Sequence, residues 1–224
     1  MKSLVQFIQE RLIIKKNKYK YFPQTKEELE EIIKKRIKDE GNKVNLNDID
    51  VSRIIDMSEL FWGTDFNGDI SDWDVSNVTN MSYMFFMCKN FNQDISSWDV
   101  SNVTNMDSMF CTCTKFNSNI STWDVSNVTN MDSMFCECKS FNQDISSWNV
   151  SNVKDMYSMF AGCLKFNQDI SGLDVSNVSD MCRMFYNCKS FNQDISNWNV
   201  DKVAFMTDMF GNCPIEEKYK PKFK

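Results

Sequence analysis

From about residue 50 onward, apolar residues return at fixed offsets with polar residues between them. One full unit is residues 91–115, FNQDISSWDVSNVTNMDSMFCTCTK, whose apolar set is Phe91, Ile95, Trp98, Val100, Val103, Met106, Met109, Phe110 and Cys113. Nearly every position between them is Asn, Asp, Ser, Thr or Gln. The methionine after "VTN" or its equivalent falls at Met57, Met81, Met106, Met131, Met156, Met181 and Met206, spaced by 24 once and by 25 five times. A fixed period of this length marks a solenoid, a propeller or an array. Propeller blades and helical hairpins need longer units, so a leucine-rich-repeat-like coil fits.

Within the unit, the β-branched and aromatic run at 95–100 predicts a short strand. Asp99, Ser101 and Asn102 then turn the chain by bonding nearby backbone, and 103–106 predicts a second short strand. Met109, Phe110 and Cys113 at i, i+1 and i+4 suit one short helical turn with an apolar face. One coil has no closed core and must lay its apolar row on the next, with special ends at both termini. The expected architecture is therefore an α+β repeat solenoid of about seven 25-residue units over residues 49–213. At the spacing of stacked strands it is a rod about 35 Å long. Each column becomes a ladder. The Trp column substitutes Leu173, which a packing position accepts and a dedicated ligand-stacking site would not.

Residues 1–48 predict a helical N-terminal cap. One amphipathic helix spans 3–14; a second starts at Thr25, where Glu28 completes a capping box, and ends at Gly41. Its apolar stripe is Leu29, Ile32, Ile33 and Ile37. The first coil is degenerate, with Arg53 in place of Asn and Thr64 near the Cys column. Residues 214–224 predict a capping tail laid down by Ile215, Tyr219 and Phe223.

Composition narrows function more than it identifies it. The chain has no His, which removes Ser-His-Asp and Cys-His systems and His-containing zinc sites, and six Gly leave no phosphate-binding loop. The expectation is no enzyme, no cofactor and no metal. Residues 1–48 carry a net +4 and the remainder −10, so the acidic repeat face argues against nucleic acid. No run of 18 apolar residues is present, so no membrane span is expected. Glu10 and Arg11 interrupt what would be the apolar run of a signal peptide. Nine cysteines without such a signal fit reduced thiols, favouring a cytoplasmic or host-intracellular location with surface association open.

Two metal readings were weighed against structural ones. Cys88, Cys113, Cys138, Cys163, Cys188 and Cys213 form a column most simply read as small buried hydrophobes, with Cys111 and Cys136 making C-x-C pairs too divergent in direction for tetrahedral zinc. Asp69, Asp94, Asp144, Asp169 and Asp194 stack in one column and Asp74, Asp99, Asp124 and Asp174 in another. Asn119, Asn149 and Asn199 interrupt these series, which tracks the shared acceptor oxygen of a turn and not the charge calcium needs.

Four columns vary freely on the expected helical edge, and the aromatic and cationic residues there are the candidate partner-binding set: Tyr83, Phe86, Tyr157, Arg183 and Tyr186. Neutral surface drift is the competing account of the same columns.

The unit F-N-Q-D-I-S-x-W-D-V-S-N-V-T-N-M-x-x-M-F-x-x-C resembles the 25-residue repeat of the BspA-like leucine-rich-repeat surface proteins, also described from mycoplasma lipoproteins. The resemblance covers roughly residues 50–213. It implies a right-handed leucine-rich-repeat-type solenoid and a role in adhesion or protein–protein interaction without catalysis, and it carries over no residue-level site. The expected function is a non-enzymatic scaffold, monomeric or weakly oligomeric, that binds a protein. The alternative is a structural component of a viral, phage or cell-surface assembly.

Overall fold

The structure, a computed structural model, describes residues 18–223 of the chain. The helix expected over 3–14 lies outside the described residues. The second expected helix is α1, Lys26–Glu40. Thr25 caps it by accepting from the Glu28 N–H at 3.3 Å, and the Glu28 carboxylate reaches back to the Gln24 N–H at 2.7 Å, one residue before the cap position. Gly41, at φ 87°, stops it with its N–H on the Ile37 carbonyl. Leu29 and Ile33 are buried and Ile32 and Ile37 pack beside them, closing the apolar end of the first coil.

Every repeat lies on the next in register. Single parallel bridges join Asp56 to Asn80, Asn80 to Asn105, and so on through Asp180 to Phe205. The pairing begins before residue 49: the Asn67 N–H already donates to the Asn42 carbonyl at 2.7 Å and the Leu46 N–H to the Asp69 carbonyl at 2.9 Å. Phe85 stacks on Phe91 with centroids 3.9 Å apart and on Phe110, its equivalent one repeat further on, at 5.5 Å. The same ring pattern runs from Phe61 to Phe210. As far as Val200 the Phe, Ile, Val and Met columns are buried, most of them completely, so the core is continuous along the stack.

Polar side chains complete the ladders. The Asn67 side-chain oxygen accepts from the backbone N–H of Asn92, Asn92 from Asn117, and so on to Asn192, whose oxygen accepts from Glu216 of the tail at 2.9 Å. The tail thus takes the place of an eighth unit in this column, and Ile215 is buried behind it. Indole N–H groups of Trp73, Trp98, Trp123, Trp148 and Trp198 donate to the preceding repeat's Leu46, Ile70, Ile95, Ile120 and Ile170 carbonyls. The Cys column is more than filler. Cys88, Cys113, Cys138, Cys163 and Cys188 each donate S–H to a Phe carbonyl one repeat back, at 2.8–2.9 Å, and burial raises their thiol pKa values.

The local elements differ from expectation. Where two strands were predicted, each unit makes one isolated bridge, because the intervening Asx turns leave no run of extended backbone long enough to pair. Where a helical turn was predicted at 109–113, overlapping β-turns run over 106–113: Met109 N–H to Met106 O, Cys111 N–H to Ser108 O, Cys113 N–H to Phe110 O. The residues between them, Met106, Ser108, Phe110 and Thr112, turn their N–H groups to carbonyls of the next repeat. This alternation requires left-handed backbone at every fourth residue. Among the described residues twelve non-glycine residues have positive φ, including Tyr83 at 57°, Ser108 at 53°, Thr112 at 66° and Arg183 at 55°. Left-handed backbone costs an L-residue about 1–2 kcal/mol, and the bond to the next repeat offsets it.

The ladder is polar. Along this edge, N–H groups face the C-terminal end of the stack and carbonyls face the N-terminal end in every repeat.

Candidate interaction edge

Two of the variable columns, those of Tyr83 and Met87, coincide with the positive-φ positions. They are therefore constrained in backbone, not free of the fold as their sequence variation implied. What varies is the side chain projecting from a fixed left-handed residue.

The candidate residues fall into separate groups. Tyr83 and Phe86 meet with centroids 5.5 Å apart, and both contact Trp62 of the first repeat, at 5.4 Å and 5.0 Å. Trp62 is 46% exposed and the neighbouring Met87 44%, so this cluster forms an apolar patch open to water. Trp62 was missed in the sequence. It occupies the Phe86 column, but the first spacing is 24 and not 25, which hides it; extending the column by that offset would have found it. Four repeats further on, about 19 Å away at strand spacing, the Arg183 guanidinium lies 5.8 Å from the Tyr186 ring centroid. The Tyr186 ring lies over Gly211, where a Cβ would come within 2.6 Å of it. Tyr157 stands between the two groups, half-buried, its N–H held by the Asp155 carboxylate at 2.9 Å. It touches neither cluster through a ring contact.

An acidic stripe runs between the clusters. Asp132 is raised to about 6, first by burial and then by Asp107, Asp155 and Asp180, against a 2.6 Å bond from the Ser133 hydroxyl. Asp155 is raised for the same reasons, burial and then Asp180 and Asp107. One Asp107 carboxylate oxygen is buried without a hydrogen-bond partner among the described residues. Tyr83 is also pushed up, by burial and by Asp107. In the Phe86 column the Cys111 thiol is lowered, first by the neighbouring Cys136, and the Cys136 thiol is raised, first by Cys111. The edge is thus aromatic at its ends and anionic between them.

The carboxylate columns weighed for calcium cap turns. Asp69, Asp94, Asp144 and Asp169 each accept from the backbone N–H two residues on, at 2.9–3.0 Å, and Asn119 does so equally at 3.0 Å. Asp74, Asp99, Asp124 and Asp174 act in the same way, as does Asn149. Interchange of Asp and Asn follows from that shared acceptor. A shallow depression of about 590 Å³ beside the Asn column is lined by Asn67, Asn90, Asn92 and Lys115, whose polar groups already pair: Lys115 with Asn90 at 2.7 Å and Asn92 with Asn67 at 2.9 Å. Among the described residues no helix is long and apolar enough to cross a membrane.

No curated protein and no solved structure matches the chain. A family model described as "Mycoplasma protein of unknown function, DUF285" matches residues 28–135 and 113–221, which together run from the first turn of α1 into the tail. With all of the repeats and part of each flanking segment inside those matches, the chain belongs to this repeat-type family.

Proposed function

We propose that this protein is a non-enzymatic repeat scaffold that binds another protein through the lateral edge carrying Trp62, Tyr83, Phe86, Arg183 and Tyr186. The winding is of the right-handed leucine-rich-repeat type, and the repeat is of the BspA-like kind, with adhesion or host interaction as its setting. The observation that supports this reading best is the three-ring cluster of Trp62, Tyr83 and Phe86, water-exposed at Trp62 and flanked by exposed Met87. Buried aromatic anchors dominate interface energies, and a solvent-exposed aromatic group on an otherwise polar surface is the usual form of such an anchor before binding. The acidic stripe between the clusters favours a partner with basic groups around an apolar centre.

The test is affinity capture from a lysate of the source organism or its host, comparing the wild type with a Trp62→Ser, Tyr83→Ser, Phe86→Ser variant. Loss of a captured protein with an unchanged melting temperature supports the reading. Unimpaired capture refutes the assignment to this edge.

A further inference from the structure

The two ends of the stack are not equivalent, and their differences are complementary. We infer that the protein associates with a second copy of itself head to tail, the last repeat of one chain pairing with the first repeat of the next along the turn ladder.

In every repeat with a successor, the residues equivalent to Met206 and Asp208 donate their N–H groups to it, as Met181 does to Phe205 and Arg183 to Thr207. Among the described residues, the N–H groups of Met206, Asp208, Phe210 and Asn212 have no acceptor. The opposite end presents the other half. The carbonyls of Asp56, Ser58, Leu60 and Trp62 are the positions that accept in later repeats, and no described residue donates to them. The Ile55 N–H and Ala204 carbonyl form one more such pair, matching the bond from Thr104 to Thr79. A row of donors cannot pair with a copy of itself, so this edge excludes two-fold pairing through like ends and permits the head-to-tail arrangement.

The side chains at these ends depart from the repeat in the direction association requires. The bridge column is Asp or Asn from Asp56 to Asp180, and its side chains cap the following turn, as Asp180 caps Cys182 at 2.8 Å. The last member is Phe205, which gives up that cap and is 61% exposed, with Met206 beside it 40% exposed. Ile55, 64% exposed, stands in the column of Thr79, Thr104, Thr129, Lys154, Ser179 and Ala204, where the Thr79 hydroxyl bonds to the preceding repeat. A terminal unit that only shields a stack from water needs a polar outer face; here α1 and the tail cover the core, yet the ladder edge is apolar at both ends. In the repeat register the Asp208 N–H of one copy meets the Ser58 carbonyl of the next, as the Arg183 N–H meets the Thr207 carbonyl within the chain.

Sedimentation velocity on the full chain from micromolar to millimolar should show species that grow past the dimer. Phe205→Lys and Ile55→Pro, which removes the N–H that faces Ala204, each block one end, and each alone should remain monomeric. Mixed, they should form a one-to-one dimer that grows no further, because one intact end of each kind remains. Met206→Lys and Ile55→Glu replace them if either melts early. A wild type that stays monomeric throughout, or a single-end variant that dimerises alone, overturns the inference. Because these residues differ from the lateral aromatic set, loss of self-association with partner capture intact separates this inference from the proposed function.

Discussion

Thr112→Gly tests the strained ladder most directly. Thr112 is β-branched and sits at φ 66°, in the column that holds Gly63 at 69° and Gly162 at 72°. Its N–H donates to the Cys136 carbonyl at 2.6 Å, a bond glycine keeps. Releasing a left-handed L-residue gains about 1–2 kcal/mol, while the extra freedom of glycine in the unfolded chain costs about 0.5–1 kcal/mol. The net expectation is a stabilisation of about 0.5–1 kcal/mol, equivalent to a Tm rise of about 1–4 °C for a chain of this size. Urea unfolding followed by tryptophan fluorescence and by circular dichroism gives the free energy. Thr122→Gly, at an ordinary φ and losing a 3.0 Å hydroxyl bond to Ser96, is the control and should destabilise by at least about 1 kcal/mol. If Thr112→Gly destabilises as much as the control, the residue does not store strain and the account of the ladder is wrong.

Two further substitutions probe other columns. Leu173 leaves the Ile145 carbonyl without the indole donor that Ile120 and Ile170 receive at 3.1 Å. Leu173→Trp should therefore add about 1 kcal/mol of stability, and a fall in Tm would show that the column cannot take the ring there. Asp132 is raised to about 6 in the folded protein against about 3.9 unfolded, so the stability it contributes is present below about pH 4 and is lost as pH rises through about 6. Asp132→Asn should raise Tm relative to the wild type above that range, with the difference shrinking toward pH 4; a difference independent of pH would rule out repulsion among Asp107, Asp132, Asp155 and Asp180.

The columns of the core were legible because each position is written many times over: Phe, Ile, Val and Met recur at one offset, and such residues are inside when the repeats lie in register. Turn chemistry was legible for the same reason, since Asn119 and Asn149 showed that an oxygen and not a charge was needed. The turns at 106–113 were not. Met109, Phe110 and Cys113 have a spacing that a helical turn and a pair of overlapping β-turns satisfy equally, and the usual signal for positive φ is Gly or Asn. Here Met87, Glu137 and Arg183 hold such positions because their N–H groups bond to the next repeat, so a long-range bond overrides the local preference. The pairing of Tyr83 with Trp62 was hidden by the one shortened spacing, and the split of the candidate residues into two clusters depends on which repeats carry them, which no column alone reveals.

The backbone also changes how the variable columns should be weighed. At a left-handed position the ladder needs only an N–H, and a small residue meets that need: Ser108, Ser133 and Ser158 in one column, Gly63 and Gly162 in the other. Tyr83 at φ 57° and Arg183 at φ 55° hold bulky side chains at comparable backbone cost, with no ladder bond that Ser would not make equally. The ladder bond offsets the strain whichever residue stands there, so the choice of side chain is left to what the side chain touches. Both side chains are also the ones that join a second group on the edge, Tyr83 with Trp62 and Phe86, Arg183 with Tyr186. Tyr157 lies in a column without positive φ and in neither cluster, so among the five residues singled out in the sequence it has the weakest claim to a partner. Drift alone would distribute large side chains over the left-handed and ordinary columns without regard to contact. Glu59 and Glu137 are large left-handed residues without a ring contact, so the contacts of Tyr83 and Arg183, and not their backbone, are what support the recognition proposed for the two ends of the edge.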